Sequence, residues 1–243
     1  MVRLNDSRIG ALLVDAYGVR ATTRTASSPH AQHGIALFVT LEHDIEIRCS
    51  GERVRGRAVI VPAHVEHEVR SPGATLGVCF DPGSVPRLAA RARRAGRVCA
   101  LDGREHDHVI GAALSIRASL DRGAVLAGFA DEGAAVLGTA SPLRVDARVE
   151  EVARTLRDPA REVPDVGISD AHLQALFTRD IGAPIRTYRL WRRLLRALGE
   201  MARGDATTAA HAAGFADLAH FSRTCRRMLG YSPTGIRDGV SAL

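Results

Sequence analysis

Three arginines stand at helical spacing near the C-terminal end: Arg223, Arg226 and Arg227, with Ala219, His220 and Ser222 beside them. A guanidinium carries a planar fork of N–H donors that matches a phosphate or the two acceptors on the major-groove edge of guanine. The imidazole and hydroxyl add further polar contacts. A second group, His172, Gln174, Ala175 and Arg179, lies some fifty residues earlier and offers similar chemistry. A third group is different in kind. His30, His33 and His67 are imidazoles whose nitrogens can hold a divalent transition metal, hydrogen-bond a small polar ligand, or serve structure alone. For the arginines the plain alternative is a solvated face on a small helical packing unit.

The arginines need a two-sided helix to point them outward. Asp205 is a good N-cap, and Ala206, Ala209, Ala210 and Ala213 recur at helical period. Gly214 suits a left-handed stop, Asp217 caps a second helix to about Leu229, and Gly230 and Pro233 end it. Phe221, Cys225, Met228 and Leu229 form its apolar stripe. Two short helices joined by a glycine turn make a helix-turn-helix, and a helix of this kind fits the major groove of duplex DNA. The run HAAGFADLAHFSRTCRRMLGYSPTGIR also closely resembles the C-terminal signature of AraC-type transcription regulators. The likeness rests on Ala213-Gly214-Phe215, Asp217, Phe221-Ser222-Arg223, Gly230, Ser232-Pro233 and Arg237, and extends over about the last hundred residues. Cys225 and Ile236 stand where the family usually has aromatic residues.

That resemblance implies two reading heads on a connecting helix. Pro184 begins a long helix with Leu190, Leu194, Leu195, Leu198 and Met201 inward, Arg189, Arg192, Arg193 and Arg196 outward, and Trp191 at the joint. Ser169 caps the first recognition helix, with Leu173, Leu176 and Phe177 inward and His172, Gln174, Ala175 and Arg179 outward. Asp146–Leu156 is an amphipathic helix before it. The family's first scaffold helix has no room here, since Pro159 to Ser169 is short and carries Pro164. A truncated helix or a loop is expected in its place.

The front of the chain alternates with period two. His33, Ile35, Leu37, Val39 and Leu41 share one face, as do Ile45, Ile47 and Cys49, and Val65, His67 and Val69. Leu12–Tyr17, Arg57–Val61 and Thr75–Phe80 complete a set of short strands, which implies a small barrel or sandwich. Gly56, Pro62 and His67 resemble the second motif of the cupin barrels, with His64 in place of its later glycine and Ser71 in place of its asparagine. His30 and His33 stand three apart where the first cupin motif has two, and its glutamate is absent. AraC-type regulators often carry a cupin-like sensor in front, so the expectation is that His33 and His67 project into a barrel cavity with His30 beside them.

Charge supports the division. All 33 Lys+Arg residues are Arg. From residue 171 onward 11 Arg face 5 acids, a balance of +6, while residues 1–170 carry 22 of each. The whole excess therefore lies over the proposed DNA-binding helices. Cysteines at positions 49, 79, 99 and 225 have no close pair, which argues against a zinc finger or a disulfide framework. No apolar run is long enough for a bilayer, and the expectation is a cytoplasmic protein with no membrane association.

The expected architecture is α+β. A cupin-like β-barrel sensor spans 1–85, a helical dimerisation or capping region 86–138, a linker 139–145, and an all-α double helix-turn-helix domain 146–243. Helices are predicted at Arg87–Arg94, His108–Leu120 and Ala124–Leu137. The implied function is a sequence-specific DNA-binding transcription regulator that is not an enzyme and answers to a small effector. Double-stranded DNA, a second copy of the chain and RNA polymerase are its candidate partners. A metal-responsive regulator using His30, His33 and His67 is one alternative. A cupin-type metalloenzyme is another.

Overall fold

The computed structural model describes residues 9–14, 17–22, 25–83, 86–118, 145–201 and 204–234. The helix predicted at 124–137, the linker around 138–142, and Ile236 and Arg237 lie outside those residues. Among the described residues, ten strands come from the first hundred positions. A six-stranded sheet has the order β1 (Ile9–Val14), β2 (Tyr17–Thr22), β9 (Thr75–Phe80), β4 (Ile35–Val39), β7 (Ala58–Val61), β10 (Cys99–Ala100). A four-stranded sheet runs β3 (Thr25–Ala26), β8 (Glu68–Ser71), β5 (Ile45–Cys49), β6 (Glu52–Gly56). Every pairing between these strands is antiparallel.

The two sheets face each other across Ala36, Val59 and Val61 on one side and Ile45, Ile47 and Val69 on the other. The outer face of the large sheet is equally apolar. Ile35, Leu37, Val39, Ile60, Val78 and Phe80 pack there against α1 (Pro86–Ala95) and α2 (Gly103–Ala118) through Leu88, Ala89, Ala92, Val109 and Ala113. This corrects the expectation that the face shared by His33, Ile35 and Leu37 lines a cavity. The alternation gives the correct face-sharing, but a central strand buried on both sides carries no mark of which side is inner. The covering helices and β10 also show that residues 86–118 cap the sheet.

β6 was absent from the predicted strands. Ser50 (φ 49°) and Gly51 (φ 83°) turn the chain so tightly that Cys49 pairs with Glu52. β6 is an edge strand whose Glu52, Arg53 and Arg55 are exposed, so no apolar alternation announces it.

The C-terminal helices are α3 (Ala147–Thr155), α4 (Asp170–Ile181), α5 (Ile185–Met201), α6 (Ala206–Ala212) and α7 (Leu218–Leu229). They form two small cores on one shaft. Val149 and Val152 of α3, with Leu156 at its C-cap, meet Leu173, Leu176 and Phe177 of α4 at Ile185 and Tyr188 of α5. Further along, Leu194, Ala197 and Leu198 of α5 meet Ala209 and Ala210 of α6 and Phe221, Cys225 and Met228 of α7. The 17 residues of α5 make the shaft about 25 Å long.

Between α3 and α4 there is no helix, as the short segment and Pro164 imply. The loop contributes Val163, Val166 and Ile168 to the first core instead. Three arginines of α5 tie it down. Arg192 donates from Nε and Nη2 to the carbonyl of Arg157 at 3.2 and 3.0 Å, Arg189 donates to that of Arg161, and Arg196 faces Asp158 at 3.6 Å. Arg192 was expected on the solvent side. It is 4% exposed, because this carbonyl and Asp81 of the barrel receive its guanidinium.

Candidate nucleic-acid interface

Each reading helix begins on a side-chain cap and ends on a left-handed glycine. Ser169 accepts the N–H of His172 at 3.4 Å at the start of α4, and Gly182 ends it at φ 91°. Asp217 accepts the N–H of His220 at 2.6 Å at the start of α7, and Gly230 ends it at φ 76°. Asp205 accepts from Thr207 and Thr208 to start α6. Such caps satisfy donors that the first turn leaves unpaired, and each contributes about 1 kcal/mol. Gly214, at φ 82°, makes the turn between α6 and α7 that fixes their crossing.

α7 is sharply two-sided. Phe221, Thr224, Cys225 and Met228 are buried, while Ala219, Arg223, Arg226 and Arg227 are exposed. Ser222 is half-buried at the edge of that face, and His220 sets its ring edge-on to Phe215 at 5.2 Å. The three guanidiniums make no ion pair among the described residues.

α4 presents His172, Gln174, Ala175 and Thr178 to solvent. Arg179 is exposed too, with its Nε–Nη2 edge engaged within the chain. It donates to both oxygens of Asp180 at 2.6 and 3.0 Å, and Asp180 also accepts the N–H of Asp146 at 3.0 Å. Arg179 therefore helps hold the start of α3 against the end of α4.

The three barrel histidines do not converge as a triad. They form two pairs with a fourth, His64. Nδ1 of His33 and Nε2 of His64 share a hydrogen bond of 2.9 Å. His30 and His67 lie ring to ring at 4.4 Å, and their backbones form an isolated antiparallel bridge. His64 stands where the cupin motif has glycine, and its backbone keeps a left-handed φ of 63°. Among the described residues no three His, Cys, Asp or Glu side chains are placed to hold a metal ion. Burial, and then the neighbouring His64, pushes His33 down to about 3; burial, and then His30, pushes His67 down to about 4. Nδ1 of His67 donates to the carbonyl of Val65 at 2.9 Å, which leaves Nε2 as the acceptor. Nε2 of His33, Nε2 of His67 and Nε2 of Gln32 are buried without a hydrogen-bond partner among the described residues.

Residues 163–239 match a family described as a helix-turn-helix domain, of the AraC type. These residues are an AraC-type domain. No curated protein matches the chain. Among solved structures, ToxT from Vibrio cholerae covers 93% of this chain and 99% of its own, at 10% identity and a TM-score of 0.56. Its unsaturated fatty acid-bound form, from strain SCE256, covers 100% and 99% at 11% identity and 0.56. At such identities the likeness is one of fold, and it runs through both halves of the chain.

The AraC-type domain is docked on the barrel through contacts that no sequence pattern announced. Asp81, fully buried after β9, accepts the Tyr188 hydroxyl at 3.0 Å and the Trp191 indole N–H at 3.2 Å, and faces Arg192 at 3.7 Å. Those three residues form one face of α5. His33 meets the rings of Tyr188 and Trp191 edge-on at 5.7 and 5.8 Å. Both recognition helices also touch the N-terminal half at their glycine ends. A β-carbon added at Gly230 would lie 2.7 Å from His30 Nδ1, and one at Gly182 would lie 3.1 Å from Arg93 Cδ. In this AraC-type domain the two C-cap glycines thus serve backbone conformation and close approach together.

Proposed function

We propose that the protein is a sequence-specific DNA-binding regulator of transcription that couples a small effector in its N-terminal half to two reading heads. The observation that carries this reading is α7: a capped helix in an AraC-type domain that shows solvent three exposed guanidiniums without an acid partner among the described residues. Arg223, Arg226 and Arg227 supply base and phosphate contacts, helped by His220 and Ser222. His172 and Gln174 do so in the first head. The effector reading is supported by the buried nitrogens of Gln32 and His67, a donor and an acceptor that a polar group on a small molecule would satisfy. The fold neighbour ToxT has been solved with an unsaturated fatty acid bound.

A second copy of the chain is a further proposed partner. RNA polymerase is the partner through which a bound regulator would act. The cytoplasm is the compartment where such a protein meets DNA, and no helix of the described residues is long and apolar enough to cross a membrane.

A gel-shift series on genomic fragments retained by the purified chain tests the reading. Arg223→Ala is expected to weaken specific binding by about tenfold or more. Arg227→Ala, if its partner is a phosphate, weakens all sequences alike and lowers the salt slope by about 1. Unchanged affinity and sequence preference in both variants would remove α7 from the reading surface.

A further inference from the structure

The geometry points to a bipartite operator element of fixed polarity, in which α4 reads an A·T-rich block and α7 a guanine-bearing block. The inference rests on the DNA-binding reading above and goes beyond it by naming the bases. It follows from a chemical difference between the two exposed faces.

On α4 the only arginine is already engaged by Asp180 through two hydrogen bonds. The Arg179 side chain stays 60% exposed, and beside it stand the Gln174 carboxamide, the His172 imidazole, and the methyl groups of Ala171, Ala175 and Thr178. A carboxamide is the side chain that bonds the N6 and N7 edge of adenine in bidentate fashion, and small methyl-bearing residues pack on the thymine methyl. On α7 the opposite holds. Arg223, Arg226 and Arg227 are exposed and without an acid partner among the described residues. A free guanidinium on a major-groove helix pairs best with guanine O6 and N7. The two heads share one shaft, α5, so a single chain sets both their order and their spacing. Heads that enter one face of a duplex lie about one helical repeat apart, roughly 10 base pairs. One chain therefore selects a non-palindromic element.

A selection experiment tests this. A duplex library with a long randomised window is retained on the purified full chain, then sequenced, for the wild type, Gln174→Ala, Gln174→Arg and Arg223→Ala. Gln174 and Arg223 are both solvent-exposed, and thermal melts confirm that the variants fold. The expected result is two enriched blocks about 10 base pairs apart, centre to centre. Gln174→Ala relaxes an adenine in one block by about tenfold, and Gln174→Arg moves the preference at that same position to guanine. Arg223→Ala relaxes a guanine in the other block only. Two guanine-bearing blocks, a single block, or a Gln174 variant whose effect falls on the guanine block would overturn the assignment while leaving DNA binding intact. Retention of no sequence above background would overturn the DNA-binding reading itself, and the assignment with it.

Discussion

Asp81→Ala is expected to loosen the barrel from the AraC-type domain and to cost about 3–5 kcal/mol of stability, the usual loss when one member of a buried charge pair is removed. The carboxylate is fully buried, and it answers three donors on one face of α5 at once. The substitution takes an acceptor from the Tyr188 hydroxyl and the Trp191 indole, and takes from Arg192 the anion that faces it. Arg192 keeps its two bonds to the carbonyl of Arg157, so the first core retains its loop. The damage should therefore concentrate at the seam. In a thermal melt the wild type should unfold at a higher temperature than the variant, and the variant should show separate steps for the two halves. Limited proteolysis should then release a stable C-terminal fragment. Asp81→Asn keeps the shape and one acceptor oxygen and should fall between the two. A variant that melts with wild-type cooperativity at the wild-type temperature would mean that the seam rests on its apolar contacts alone.

The seam also shows where a sequence is readable and where it is not. Ser169, Asp205, Asp217, Gly214 and Gly230 were legible because caps and left-handed stops are local: each depends on a residue and its neighbours within four positions. The exposed face of α7 was legible for the same reason, since helical period alone separates Arg223 from Phe221. The loss of the first scaffold helix could be read from Pro164 and the short spacing. Asp81 could not be found this way. It lies in a turn motif that reads as punctuation, and its partners are more than a hundred residues away. Arg192 looked like its neighbours Arg193 and Arg196, and only a long-range partner distinguishes it. His33 had the correct period and the wrong side, because the helices that cover the large sheet make its outer face as apolar as its inner one. The cupin resemblance located His67 and His64 but did not give their pairing, which depends on the bridge between residues 30 and 67.

Those histidines carry the second large expectation, a loss of stability as the solution is acidified from pH 7 to pH 5. His33 titrates near 3 and His67 near 4 in the folded chain, against 6.5 for an unburied imidazole. Between those limits the unfolded chain binds more protons than the folded one, so stability falls as pH falls. The contribution is fully present above 6.5 and is lost progressively toward the folded values of 3 to 4. By linkage each of the two gives up about 2 kcal/mol between pH 7 and pH 5, or about 4 kcal/mol for both. Glu46 does not blur this window. Glu46, held down to about 2 by its hydrogen bonds to Arg55 and Arg48, has an ordinary value of 4.5 and loses its contribution only below that. Placement gives the effect a direction. A proton arriving on His33 meets His64, Tyr188 and Trp191, and one on His30 arrives against Gly230 at the end of the second reading helix. Acidification should therefore open the same seam that Asp81→Ala opens. Chemical denaturation at several pH values should show the midpoint falling steadily below pH 6.5 in the wild type, with a shallower slope in His33→Gln, whose side chain takes no proton. Equal slopes in the two proteins would place the acid sensitivity outside this cluster.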